Sequence, residues 1–388
     1  MTVPTSELDA AEYGARVAAV RVRMRERGIR VLCLAGPENI YYLTGLSHQG
    51  YFAFTFLVVP TEGEVLLVAR AMEHATVAAQ TIGCRHVPFD DGSDPSEAAA
   101  ACVREALAGG TDGGVAVELT SMYLPVAIWS EIRDRLPEFT LTDGSGVVEG
   151  VRSVLSPAEV GFVRQAARLS DRGMQAGIEA VHDGVNEQAV VAAIYAAMIG
   201  AGSEQPGFVP LVRTRDVLLQ EHIIWRDHVV QTGDALFLEL SASVARYHAP
   251  LSRMVYLAEP PSGTGVAADI ALAALEAVRA TLRDGALAAD AYAAWQQVVD
   301  DGLGHDRYRR HHCGYLTGIG FPPSWTGGGT PIGLRPGNDL VLRSGMVFHV
   351  LSWLIGQEPA DFVVSDTVLV TETGGELLTT TDRGPLRA

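Results

Sequence analysis

The residues best able to do chemistry in this sequence stand in LFLELSASVARYHAPLSRMVYL, Leu236 to Leu257, where Glu239, Arg246, His248 and Arg253 interrupt a strongly apolar run. Burying an ionisable group is costly unless it is paired or used. On a strand, Leu236, Leu238, Leu240 and Ala242 share one face and Phe237, Glu239, Ser241 and Ser243 the other. Glu239 therefore turns away from the leucines. In a cavity of low dielectric a carboxyl group rises towards the range useful for acid–base work. The structural alternative is an ion pair with Arg246 or Arg253 across the hairpin. His222, in QEHIIWRDH, stands on the strand-like segment just before. Imidazole is the side chain suited to moving a proton near neutral pH. Of the tandem His311-His312, one at most enters a site if the pair lies on a strand, because neighbours face opposite ways. His349, in GMVFHVLSW, needs a partner if it faces inward.

A divalent ion wants several carboxylates or imidazoles converging on it. The chain has no HExxH, and its cysteines, at 33, 84, 102 and 313, show no paired spacing. Around Glu239 there is no second carboxylate, and the later strands add only His349 and Asp366. No motif here demands a metal.

These side chains need elements to hold them. At 388 residues the chain exceeds one ordinary core, and 48% hydrophobic residues give a normal globular balance. A helix is expected over Leu8 to Arg27, stopping at Gly28, then the strands IRVLCLAG, YFAFTFLVVP and GEVLLVA, the last two joined by the turn Thr61-Glu62-Gly63. DPSEAAAACVREALAGG reads as a helix capped by Asp94 or Ser96, GGVAVEL as a strand and YLPVAIWSEIRDRL as a helix. This alternation predicts an α/β domain. Ser156, Pro157 and Glu159 form a capping box that opens a new helix and marks a domain boundary. Beyond it come a second helix, strand-rich sequence over Phe208 to Tyr256, a helical stretch over Gly265 to Gly302 and the strands LVLRSGMVFHVLSWLI and DFVVSDTVLVTETG, an α+β domain.

The net charge of −17 argues against nucleic acid or an anionic membrane as partner, though a local Arg cluster can still attract a small anion. The N-terminus lacks the apolar core of a signal peptide, and no run of about 18 apolar residues occurs. A cytoplasmic protein acting on a small molecule is expected.

In its PENIYYLTG, RSVLSPAEVGFVRQAA, TGDALFLEL…RYHAPLSRMVYL, GYLTGIG, SGMVFHV and SDTVLVTETGGELLT blocks the sequence resembles the creatinase, aminopeptidase P and prolidase family over nearly its whole length. The resemblance implies a creatinase-type α/β domain over 1–152 and an α+β pita-bread catalytic domain over 153–388. Metal-dependent members hold two ions with Asp, Asp, His, Glu and Glu. Those positions fall here on Glu239, Pro250, Tyr315, Leu351 and Ser365, so the resemblance points to a site without metal or other cofactor. His222 matches the catalytic histidine of creatinase, the metal-free C–N hydrolase of the family. Creatinase, however, keeps His, Glu and His where this chain has Tyr315, Leu351 and Ser365. RYHAPLSR, GYLTGIGFPPSW, GMVFH and VVSDTVLVTETG are similar to ectoine hydrolases, which open a cyclic amidine, although GIGFPPSWTGGG lacks the acidic residue expected soon after its Trp.

On this footing Glu239 is the expected nucleophile or base and His222 the proton shuttle. Tyr315, His349 and His248 are expected to contact substrate. Arg310, Arg246 or Arg253 would meet a substrate carboxylate, Arg253 fitting a structural ion pair better. The family also implies a homodimer in which His48, Tyr51 and Phe52 of one subunit line the other's pocket; alternatively the aromatic pair simply starts a buried strand. The expected activity is metal-independent hydrolysis of a C–N bond in a small cyclic amidine. The alternatives are a tailoring enzyme on another amidine, guanidine or amide, and a non-catalytic binding protein built on a peptidase fold.

Overall fold

Asp9 starts the first helix by accepting the Glu12 backbone N–H at 2.9 Å, and Gly28 ends it at φ +67°, a left-handed conformation that side-chain-bearing residues resist. That helix, α1 (Ala10–Glu26), opens a computed structural model that describes residues 8–108 and 114–388. The chain divides into two compact units, one reaching to Ser153 and taking in Gly328–Thr330, the other formed by Val154–Gly327 and Pro331–Ala388. In the first unit β1 (Ile29–Leu34), α2 (Pro37–Thr44), β2 (Phe56–Pro60), β3 (Val65–Arg70), α3 (His74–Gln80) and β4 (Cys84–Phe89) are followed by α4 (Pro95–Ala106), β5 (Gly114–Val117), α5 (Val126–Asp134), β6 (Leu141–Asp143) and α6 (Val147–Arg152). The sheet runs β4-β3-β2-β1-β5-β6 and is mixed. Its Val31, Cys33, Phe56, Val58, Val115 and Val117 pack on Ala99, Cys102 and Val103 of α4. Of the two possible caps for α4, Asp94 is the one, accepting Ser96 N–H at 2.9 Å.

The second unit starts with α7 (Pro157–Ala180), and the capping box is as expected: Ser156 N–H donates to Glu159 at 2.7 Å and Ser156 Oγ accepts from Glu159 N–H at 3.4 Å. There follow α8 (Glu187–Gly200), β7 (Leu211–Thr214), β8 (Ala235–Leu240), β9 (Ser243–Val244), β10 (Tyr247–His248), β11 (Leu251–Tyr256), α9 (Thr264–Thr281), α10 (Ala288–Leu303), β12 (Gly314–Leu316), β13 (Val347–Leu354), β14 (Phe362–Val370), β15 (Gly375–Leu377) and β16 (Leu386–Arg387). The main sheet runs β12-β13-β14-β11-β8-β7 with antiparallel neighbours throughout.

Leu236, Leu238 and Leu240 bury their side of β8 against Met174 of α7 and Ile194 and Met198 of α8. Phe348, Val350, Leu354, Phe362 and Val364 do the same beneath α9 and α10. The other side of the sheet carries Leu211, Phe237, Met254, Leu351, Trp353 and Val363, and Glu239 lies on it, as the alternation predicted.

Two strand expectations need correction. Residues 215–234 are not strand: after a 3-10 turn, Gln220 and Ile223 N–H donate to Val217 and Gln220 carbonyls, and Arg226 N–H to Glu187. His222 is therefore on a loop, where neighbouring backbone donors are taken up by turns and by Glu187 and not by a strand ladder. Arg246 is not on a strand either. With Ala245 it forms the two-residue turn between β9 and β10, both at positive φ (47° and 63°), as the twist of a tight hairpin demands.

Candidate active site

The inner face of the second unit's sheet opens on a cavity of about 260 Å³ lined by Glu239, His222, Tyr315, Arg310, Leu351 and Trp353, with Phe208, Trp325 and Glu221 among its walls. Register explains the gathering. Leu211 pairs with Glu239, Glu239 with Ser252, Ser252 with Ser365 and Ser365 with Leu351, one row of inward side chains. Two residues along β13 from Leu351, His349 pairs with Tyr315 in the next row. Glu239 and His222, about 17 positions apart in sequence, border the same small space.

Glu239 is 4% exposed. Burial raises its carboxyl to about 7; Arg213 and Arg310 pull it down and Glu221 pushes it up. It pairs with neither Arg246 nor Arg253. Arg253 is consumed elsewhere: its guanidinium donates to Asp366 at 2.9 Å and to the carbonyls of Ser252, Ser365, Thr381 and Asp382. The Arg246 guanidinium lies over Phe321 at 4.6 Å, outside the cavity lining.

Tyr315 is held by a chain of hydrogen bonds whose polarity can be worked out. Trp325 Nε1–H, which can only donate, meets Tyr315 Oη at 2.8 Å. Ser365 gives its proton to Ser252 Oγ at 2.8 Å, so towards His349 Nε2, 2.7 Å away, it is an acceptor. Burial, then His312 and Arg253, lower His349 to about 3, and a neutral ring protonated on Nε2 has a bare Nδ1. The Tyr315 hydroxyl, 2.8 Å from Nδ1, fills it. Tyr315 thus offers the cavity an oxygen lone pair and no proton. His349 itself is fully buried behind it, 3.9 Å from Glu239, and is not part of the lining.

Other expected residues fall elsewhere. His248 is fully buried and absent from the lining; its Nε2 accepts Gly207 N–H at 2.8 Å while Nδ1–H faces the Gly318 carbonyl at 3.3 Å. It ties together the loops bearing Phe208 and Trp325, whose rings meet at 4.7 Å, and so shapes the cavity without touching it. His311 and His312 both line the cavity, against the expectation of one at most, because they precede β12 in a bend where strand alternation does not apply. His48, Tyr51 and Phe52 belong to the first unit: His48 Nδ1 lies 3.5 Å from Glu73, Tyr51 donates to the Leu46 carbonyl at 3.0 Å, and Phe52 is 83% exposed. Tyr51 and Phe52 lie on a 3-10 turn over Gly50–Phe52 and not at the start of a strand, and His48 precedes that turn.

Two groups escaped the sequence reading. Arg213, fully buried, sits two positions along β7 from Leu211 with its guanidinium 4.4 Å over Phe237, and Glu221 lines the cavity beside His222. The signal for Arg213 was an arginine inside the apolar run LVRT, readable only once the partner strand is known.

The chain matches the metallopeptidase family M24 over residues 161–372 and the creatinase/prolidase N-terminal domain over residues 16–154. It belongs to family M24. Among curated relatives, an ectoine hydrolase of Halomonas elongata is 29% identical over 385 residues, 95% of each chain, and an uncharacterized hydrolase/peptidase of Sinorhizobium fredii is 29% identical over 390 residues, 96% of each. A prolidase from Thermococcus sibiricus superposes with a TM-score of 0.86 at 20% identity, covering 99% of this chain and 100% of that one, which shows the pita-bread fold.

The family name implies metal ions, and this M24 chain's donors do not fit them. Of the five aligned positions Glu239 alone is a carboxylate. Leu351 is part of an apolar cluster, the Pro250 carbonyl accepts from Thr367, and the Tyr315 and Ser365 hydroxyls are committed to His349 and Ser252. Among the described residues no three His, Cys, Asp or Glu converge as ligands. No helix among them is long and apolar enough to cross a membrane.

Proposed function

We propose that the chain hydrolyses a C–N bond in a small cyclic amidine or related compound without a metal ion. The observation that carries this reading is the polarity of the cavity. The Glu239 carboxylate and the Tyr315 oxygen both accept hydrogen bonds. An amidinium offers N–H donors on both sides of its electrophilic carbon, where an amide offers a carbonyl oxygen and would meet the Tyr315 lone pair. Similarity to a protein named ectoine hydrolase supports the same substrate class.

In this mechanism Glu239 draws a proton from water as the water oxygen adds to the amidine carbon, or adds to that carbon itself before water releases it. The carbon becomes tetrahedral and its C=N a C–N single bond. Collapse then forms a C=O bond and breaks one C–N bond. By way of His222 on the loop the departing nitrogen takes the proton that Glu239 drew from water, and the hydroxyl proton of the tetrahedral carbon passes to solvent. Tyr315 holds one N–H throughout. Exposed Phe52 supports a homodimer as part of the proposal; a Phe52→Ser monomer with undiminished kcat/KM would remove it.

The test is incubation of purified protein, its metal content measured, with ectoine and a panel of amidines, guanidines and amides read by mass spectrometry. Ring opening of an amidine, lost in Glu239→Ala and in His222→Ala, is expected. Undiminished activity in both variants would sink the assigned roles. Turnover of guanidines or amides alone would make it a tailoring enzyme, and binding without turnover a ligand-binding protein.

A further inference from the structure

At the end of the cavity beside Phe237 and Trp353, buried N–H donors outnumber the acceptors that reach them. Arg213 gives Nη1 to the Glu221 carbonyl, and Arg310 gives Nη2 to the Glu221 carboxylate at 2.9 Å, so two guanidiniums flank one residue. Nε and Nη2 of Arg213, Nε of Arg310 and Nε1 of Trp353 are buried with no hydrogen-bond partner among the described residues. Aromatic rings hold them in place: Arg213 lies 4.4 Å from the Phe237 ring, Phe237 meets Trp353 edge-on at 5.4 Å, and Arg310 lies 5.1 Å from the Trp353 ring. Arg310 meets the Glu221 carboxylate and Arg213, which is not itself part of the lining, only the Glu221 backbone carbonyl. Glu239 acts on both guanidiniums, so what this end lacks is hydrogen-bond acceptors and not negative charge. Unmatched buried donors are costly, so such a cluster is suited to an acceptor that arrives from outside. The free edge of Arg213, Nε with Nη2, is the fork that takes both oxygens of a carboxylate.

We propose that this end of the cavity seats a carboxylate, so that the substrate is a zwitterion held by Arg213, Arg310 and Trp353 at its anionic end while its amidinium faces Glu239 and Tyr315. The assignment rests on the amidine reading and narrows its substrate class. It departs from the expectation that Arg246 or Arg253 serves an anion, since both are engaged elsewhere.

Two arms test it. In the first, a cyclic amidine bearing a carboxylate is compared with its carboxamide. The wild type should favour the carboxylate by roughly 10- to 100-fold in KM, the range for a charged hydrogen-bonded pair. Arg310→Gln and Arg213→Met should each bring the ratio close to unity, and Arg310→Lys should restore part of it. In the second arm, short monocarboxylates are titrated by calorimetry, which needs no turnover; saturable binding in the wild type, lost in Arg310→Gln, is expected. A wild type without carboxylate preference, or a preference that survives in both the Arg310→Gln and Arg213→Met proteins, overturns the seat. Carboxylate binding that depends on Arg310 in a protein that opens no amidine overturns the amidine reading and leaves the seat standing.

Discussion

Burial holds the Glu239 carboxyl at about 7 against an ordinary 4.5, so the ionisation of this one side chain sets how the protein responds to pH. The charged form is the base or nucleophile. Activity is therefore lost as pH falls through about 7, and kcat/KM should drop about tenfold per unit below it. Glu239→Gln should remove that limb along with about 10²- to 10⁴-fold of the rate. The same shift has a cost in stability. A carboxyl raised in the folded state contributes stability below its unfolded pKa, and that contribution is lost as pH rises through about 7. At pH 8 Glu239→Gln should then be the more stable protein, by on the order of 2 kcal/mol, measured by denaturant unfolding with and without the substitution. Tyr315 makes a sharper claim. Tyr315→Phe should cost an amidine roughly 10- to 100-fold in kcat/KM while leaving the Ki of a lactam isostere unchanged or improved. Equal weakening of both would mean that the phenol donates.

Among the elements, the cavity depends on two loops as much as on the sheet. Phe208 and Trp325 are brought together because Gly207 packs against Ser324: a Cβ at Gly207 would lie 2.2 Å from the Ser324 carbonyl oxygen. His248 pins the same place from behind. Gly207→Ala should force the loops apart, costing about 1–3 kcal/mol of stability and raising KM more than it lowers kcat. Thermal unfolding alongside steady-state kinetics checks this, and unchanged KM would remove the loops from substrate binding. Helices α7 and α8 act from the outer face. They press close where Gly173 and Gly177 meet Met198 and Ile194, which keeps β8 and its Glu239 rigid.

For the whole molecule, the M24 frame persists while the positions that the resemblance gives to metal ligands carry, beside Glu239, a proline, a leucine and hydroxyls tied into hydrogen bonds. Dialysis against chelator should leave kcat/KM within about twofold, and added manganese, cobalt or zinc should not raise it, since a single buried carboxylate is a poor site for a hard divalent ion. Activity lost on chelation and regained with one ion would refute this. The chain carries a net charge of −17, yet two guanidiniums stand beside Glu221 and Glu239 at one end of its cavity, so the charge there is locally balanced where the chain as a whole is acidic.

Local patterns were enough to place Glu239 opposite the leucines of β8 and to put the Ser156 capping box at the start of α7. Those signals survive in sequence because each depends on residues within a turn or two of one another. The tertiary structure alone decided that His222 sits on a loop, that His248 ties two loops, that Arg213 comes to lie over Phe237 and to reach Glu221, and that Tyr315 presents an acceptor to the cavity. Each of these depends on partners far along the chain, such as Trp325 and Ser365 for Tyr315 or Phe237 and Glu221 for Arg213. A hydrogen bond's direction and a guanidinium's freedom are set by what the folded strands bring alongside, and no spacing within a single strand encodes that.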